Sequence, residues 1–201
     1  MIRRIALAAA VALVSAPAFA ANTAYTLDPG HTQVVLQWSH FGFSNPEAQF
    51  GKIEGTVEFD QADPTKASVN VKIDTASINS NVAKFDEHLK SADFFDVAKY
   101  PDATFKSTKV EKGAAPDQLK VSGDLTIHGV TKPATLDVTV NKVGEHPMRK
   151  APAVGFDAKT TIKRSDFGIG KYAPNVSDDV KINITVEAIE AKAYAESQKK
   201  K

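Results

Sequence analysis

Apolar and polar residues alternate along most of this chain. Over residues 66–74 the apolar members are Ala67, Val69, Val71 and Ile73, with Ser68, Asn70 and Lys72 between them. Over residues 179–187 they are Val180, Ile182, Ile184 and Val186, separated by Lys181, Asn183 and Thr185. Ile53, Gly55, Val57 and Phe59 repeat the pattern, as do Leu119, Val121, Gly123, Leu125 and Ile127, and then Ala134, Leu136, Val138 and Val140. Successive strand residues point to opposite faces, so each segment has one dry and one wet face. Strands covered on both sides, as in parallel sheets, would read as continuous apolar runs, so the chain is all-β and antiparallel. Turn signals at Asp28-Pro29-Gly30, residues 60–64, residues 112–116, His128-Gly129-Val130 and residues 144–152 delimit the segments. They mark out about eight strands, enough to close a barrel and remove its free edges. A two-sheet sandwich has the same strand text, so the pattern leaves both architectures open. No repeat of fixed period is present, which argues against a propeller or solenoid.

One helical interruption falls between Asn79 and Tyr100. Val82, Phe85 and Leu89 form an apolar stripe flanked by Lys84, Asp86, Glu87 and Lys90. A second short turn, capped by Ser91 or Asp93, carries Phe94, Phe95 and Val97. Pro101 biases Tyr100 toward extended backbone, so strand structure resumes over residues 103–110. An insertion of this kind most simply covers one end of a barrel.

The N-terminus changes the expected destination. Arg3 and Arg4, an apolar run over residues 5–14, and Ala18-Phe19-Ala20 before Ala21 read as a secretory signal peptide, with cleavage expected after Ala20. A membrane anchor needs roughly 20 apolar residues, and Ser15 and Pro17 end this run short of that. No cysteine follows to take a lipid, so a soluble periplasmic protein without stable membrane insertion is expected. Removing the two arginines takes the formal charge from +1 to −1, and nothing in that balance steers the chain to nucleic acid or an anionic surface. The absence of cysteine excludes a disulfide scaffold. Stability must come from a buried core, which about 180 residues can supply as one domain. The expected organisation is a signal peptide at 1–20, a barrel at 21–191 and a flexible polar tail at 192–201.

Candidate chemistry is sparse. His31, His40, His88, His128 and His146 form no paired metal-ligand motif, so no metal site is expected. His128 reads as a turn residue, and His40 ends the run over residues 34–39 just before Phe41-Gly42-Phe43. Nucleophile elbows and phosphate loops are absent, and Ser39 beside His40 faces the opposite way on a strand. Arg164 is read either as a surface ion-pair partner or as a holder of a polar head group. Phe41, Phe43, Phe50, Phe94, Phe95 and Phe167 lie near strand ends and connections, where together they would make an apolar mouth. The inward row mixes bulky Trp38, Phe59 and Phe105 with small Ala67 and Gly123, which fits either a filled core or a tapering cavity.

Several longer motifs stand in order along the chain. They are Leu27-Asp28 with His31, Ser39-His40, Phe50-Gly51 with Gly55, and Ala76-Ser77-Ile78. They continue with DEHLKSADFFDVAKYPDATFKS over residues 86–107, GDLTIHGVTKP over residues 123–133, and RSDFG over residues 164–168. In this order they resemble the YceI-like family, over about residues 25–191. The resemblance implies an eight-stranded antiparallel lipocalin-like barrel with a short helical insertion around residues 80–98 and an elongated internal tunnel. It also implies a periplasmic carrier of a long apolar lipid, acting in stress response or isoprenoid metabolism. The ligand would be a polyisoprenoid, such as an isoprenoid quinone or prenyl pyrophosphate, or a fatty-acid amide.

On that reading the lipid chain lies along Val34, Leu36, Trp38, Val57, Phe59, Val71, Phe105, Ile127, Leu136 and Ile182. Phe43, Phe94, Phe95 and Phe167 form the mouth, and His40, Arg164 and Asp166 neighbour the head group. The only non-protein component expected is the isoprenoid or fatty-acid-like ligand, with no catalytic residue and no cofactor. A homodimer through the barrel wall is compatible with the strand pattern. The alternatives are a lipid-modifying enzyme using His40 and a module that docks another envelope protein.

Overall fold

Three staves of the barrel are each broken by a short kink. Thr23–Leu27 (β1) and Gln33–Gln37 (β2) are parted by the Asp28-Pro29-Gly30 turn, and Glu47–Phe50 (β3) and Ile53–Phe59 (β4) by Gly51 and Lys52. Ser68–Asp74 (β5) and Ile78–Asn79 (β6) are parted by a 3₁₀ turn at Thr75–Ser77. Five unbroken strands follow: Asp102–Lys112 (β7), Gln118–Ile127 (β8), Val130–His146 (β9), Ala151–Lys163 (β10) and Asp179–Glu190 (β11). These observations come from a computed structural model, which describes residues 22–199.

Each stave pairs antiparallel with the next along the chain, and β1 closes the ring by pairing with both β4 and the C-terminal part of β11. The N-terminal part of β11 pairs with β2, which pairs with β3, and β3 with β6. Counting each broken pair as one stave gives an eight-stranded closed barrel, and closure removes the sandwich alternative. The kinks are fastened to one another. Ser77 Oγ accepts from the Gly51 and Lys52 amides at 3.1 and 3.0 Å. The fully buried Thr75 hydroxyl lies 2.8 and 2.9 Å from the Tyr100 and Pro101 carbonyls, to which it donates.

The helical interruption is Ala83–Lys90 (α1), followed by turns up to Tyr100. Val82 does not belong to its apolar stripe. It occupies the cap position in extended backbone and is 56% exposed, whereas Phe85 and Leu89 turn toward the barrel. Ser91 closes α1 instead of opening a second helix, its Oγ donating to the His88 carbonyl at 2.7 Å. At the C-terminus, Ala191–Gln198 (α2) is helical where a flexible tail is expected. Ala191, Ala193, Ala195 and Glu196 favour helix, and the Glu190 carboxylate caps it by accepting from the Ala193 amide at 2.8 Å. The signal-peptide segment lies outside the described residues.

One end of the barrel is filled. Tyr25, Val110, Val154 and Ala188 are buried together there, and the Phe59 and Phe156 rings meet edge-on with centroids 5.4 Å apart. In the wall, Gly123 makes room for an aromatic ring. A β-carbon at that position would stand 2.6 Å from the Phe105 ring and 2.5 Å from the Lys106 carbonyl.

Candidate functional site

Above the filled end the barrel is hollow. The cavity measures about 590 Å³, within the usual range of small-molecule sites. Its floor is Phe59 and Phe156, and its walls are the inward rows of the alternating strands. On β11 that row runs from Val180 through Ile182 and Ile184 to Val186, about 20 Å along the strand. Polar side chains on the lining are few, chiefly Thr32, Thr104, Thr160, His40, His88 and Arg164.

Most residues expected at the ligand site line this one cavity. Val34, Leu36 and Trp38 lie on or just past β2, Val57 and Phe59 on β4, Val71 on β5 and Phe105 on β7. Ile127, Leu136 and Ile182 complete the wall from β8, β9 and β11. Phe94, Phe95 and Phe167 line the end opposite the floor, with Phe95 edge-on to Phe50 at 5.7 Å and Phe94 edge-on to His88 at 4.7 Å. His40 also lines it, its ring edge-on to Phe41 at 4.7 Å.

Two expected residues are elsewhere. Phe43 is 94% exposed and does not line the cavity, because the turn over residues 41–44 aims it into solvent. Asp166 is exposed on the outside of its 3₁₀ turn. The carboxylate that fastens that turn is Asp178, accepting from the Ser165 amide and hydroxyl at 2.9 and 2.7 Å.

Arg164 is neither a surface ion-pair partner nor a free head-group cation. It is buried, and its guanidinium donates to the carbonyls of Ser177, Lys171 and Val176 at 2.8 Å each and to that of Ile169. Burial pushes its pKa below the ordinary arginine value, with Asp178 acting in the opposite sense. The side chain therefore gathers the loop over residues 164–177 around itself.

That loop carries site residues the sequence reading missed. Ile169, Tyr172 and Val176 line the cavity, as do Phe85, His88 and Leu89 from α1. The stripe on α1 was the available signal for Phe85 and Leu89. Tyr172 lies in irregular sequence with no periodicity to mark its direction. The lining residues that are exposed are His40, Phe41 and Tyr172, so the cavity opens there. The loops bearing them are stitched together by the Phe41 amide on the Asn175 carbonyl and the Ser177 amide on the Ser39 carbonyl, both at 2.9 Å.

A separate polar cluster sits beside the β1–β2 kink. Asp28 Oδ2 lies 3.3 Å from His31 Nδ1 and is paired with Arg149, and His146 Nε2 lies 3.1 Å from Glu187 Oε1. Burial opposes ionisation of Asp28, but the Gly30 amide, His31 and Arg149 outweigh it and hold the carboxyl below its usual range. The ligand atoms of Asp28, His31 and Glu187 lie within 4.8 Å of one another, a grouping that no pairing of histidines in the sequence marks. Arg149 already occupies the Asp28 oxygen, and none of Asp28, His31, His146, Arg149 and Glu187 lines the cavity.

Fold and cavity define the class: a lipocalin-like antiparallel barrel closed at one end, with a single-mouthed apolar chamber. Residues 25–188 match the model of the YceI-like domain. Protein YceI of Escherichia coli is 41% identical over 162 residues, which is 81% of this chain and 83% of that one. Among solved structures, Burkholderia cenocepacia BcnA superposes with a TM-score of 0.72 at 29% identity, covering 80% of this chain and 98% of its own. A polyisoprenoid binding domain from Saccharophagus degradans gives a TM-score of 0.65 at 15% identity, covering 84% of this chain and 99% of its own, a likeness of fold alone. The chain belongs to the YceI-like family.

Proposed function

We propose that this protein holds a long apolar lipid, tail first, in its internal chamber and acts as a periplasmic carrier. The observation that carries this reading is the chamber itself: about 590 Å³ lined almost wholly by aliphatic and aromatic side chains, blind at one end and open at the other. Burying a methylene is worth about 0.8 kcal/mol, so an extended hydrocarbon is held by dryness and shape with few polar contacts, offset by the cost of ordering it. A polyisoprenoid or fatty-acid-like chain suits such a wall, and the polyisoprenoid binding domain that shares the fold supports the same class. The role is non-catalytic. Among the described residues, no carboxylate, hydroxyl or second imidazole is hydrogen-bonded to the His40 ring at the opening of the chamber.

The test is extraction of the protein purified from its native envelope, with mass spectrometry of the released lipids. Titration of the delipidated protein with a chain-brominated fatty acid, read by quenching of the single tryptophan, Trp38, complements it. A co-purifying isoprenoid or acyl lipid and saturable quenching are expected. A barrel that carries no lipid and whose Trp38 is not quenched would refute the reading.

A further inference from the structure

The apolar surface of this protein does not stop at the cavity mouth. Phe41 and Tyr172 each line the chamber and are each 52% exposed, so one face of each ring looks inward and part of it outward. Just beyond them Phe43 projects almost entirely into water at 94% exposure, and Val82, capping the helix that lines the same end, is 56% exposed. Of the five large apolar side chains exposed among the described residues, only Met148 lies at the other end of the barrel. An apolar path thus runs from the chamber wall across its lip to the outside. A soluble protein keeps such a concentration exposed where something apolar is to meet it.

The lip is also rigid. Phe41 and Tyr172 both have left-handed backbone, with φ of 52° and 67°, which bulky residues adopt only when the surroundings hold them there. The cross-loop hydrogen bonds and the Arg164 clamp supply that hold. Lys171, next to Tyr172, is paired with Asp93 and lies over the Tyr172 ring at 5.4 Å. A surface with aromatic tips projecting and the adjacent lysine paired suits the headgroup boundary of a bilayer, where amphipathic rings partition.

We propose that the mouth docks reversibly on a lipid bilayer through Phe43 and the rims of Phe41 and Tyr172, so that a lipid passes from membrane to chamber without crossing bulk water. This rests on the lipid-carrier reading above. The occupant is a membrane surface, and the attraction is apolar, so zwitterionic lipid suffices.

Flotation with phosphatidylcholine vesicles of the protein purified from its native envelope and delipidated tests it, parent and variants being prepared in the same way. Phe43→Ser is expected to lower the vesicle partition coefficient on the order of tenfold, the factor expected when about half of a phenylalanine side chain is buried. Val82→Ser, which also supplies a favourable cap, is expected to lower it several-fold while leaving α1 intact by circular dichroism. Neither residue lines the chamber, so quenching of Trp38 by a brominated fatty acid added from solution is expected to be unchanged, while uptake of the same fatty acid from vesicles slows in step with partitioning. Equal flotation of parent and both variants would overturn the proposal. So would binding that needs phosphatidylglycerol and disappears in high salt, which would assign the attraction to charge. The two readings fail separately: a parent protein that fills from solution but never floats sinks the docking alone, and one that floats but never fills sinks the carrier.

Discussion

Replacing Arg164 with lysine should loosen the lid of the chamber while leaving the barrel standing. The guanidinium reaches four backbone carbonyls, those of Ser177, Ile169, Lys171 and Val176, spread around a loop that returns to its own start. A planar fork with five donors can span that arc, and an ammonium with three donors at one point cannot. A hydrogen bond to a charged group contributes about 1.5 to 3 kcal/mol. Losing two of the four, with water re-entering near the mouth, gives an expected cost of about 3 kcal/mol. Arg164→Leu, which strips all four, should cost more, toward the 5 kcal/mol at the upper end for broken buried polar contacts. Urea unfolding measures the total. Hydrogen exchange localises it, with the amides of Gly168, Ile169 and Val176, now bonded to Ser165, Arg164 and Tyr172, losing protection before the strands do. Wild-type stability and protection in Arg164→Lys would refute the clamp. A variant with a protected loop but a lost preference for anionic lipids would also refute it, by restoring the head-group role.

Other outcomes follow from the same geometry. Ala158→Phe projects a ring into the hollow from β10, so thermal stability should hold within about 1 kcal/mol while Trp38 quenching by a brominated fatty acid is abolished; retained binding would mean that the ligand lies elsewhere. Gly123→Val meets the Lys106 carbonyl as well as the Phe105 ring, and urea unfolding should show a loss of about 1 to 3 kcal/mol. Asp28 has a lowered pKa in the fold, so its stabilisation is complete above the unfolded carboxyl value of about 3.9 and is lost as pH falls through the lower folded value. Arg149→Ala removes one cause of that lowering, so acid unfolding followed by circular dichroism should begin at a higher pH than in the parent, with about 1 to 2 kcal/mol lost at neutral pH.

Strand alternation was legible because a barrel wall has one wet and one dry face, and inward rows such as Val180 to Val186 carry that period without interruption. The kinks were less legible. The one at Thr75–Ser77 depends on hydroxyls reaching Tyr100, Pro101, Gly51 and Lys52, partners that no local pattern connects. Hollow and filled portions of the barrel share the same sequence text: Tyr25 and Leu27 are two residues apart on one face, yet only Leu27 lines the chamber. Phe43 and Val82 were misjudged for a common reason. Hydrophobicity by itself predicts burial, and only the path of the turn shows that these two point outward. Arg164 was identified as important, but its partners are carbonyls, which a reading of side chains does not see.

The stopper of packed side chains beneath Phe59 and Phe156 makes the chamber a tube with a single door. A guest that enters by its tail must leave by its head, and a newcomer has no second opening from which to push it out. Exchange is therefore sequential, and the departure rate of a bound lipid should not rise with the concentration of its competitor. Such a vessel keeps its cargo by geometry as well as by affinity, and emptying it is a matter of what waits at the door.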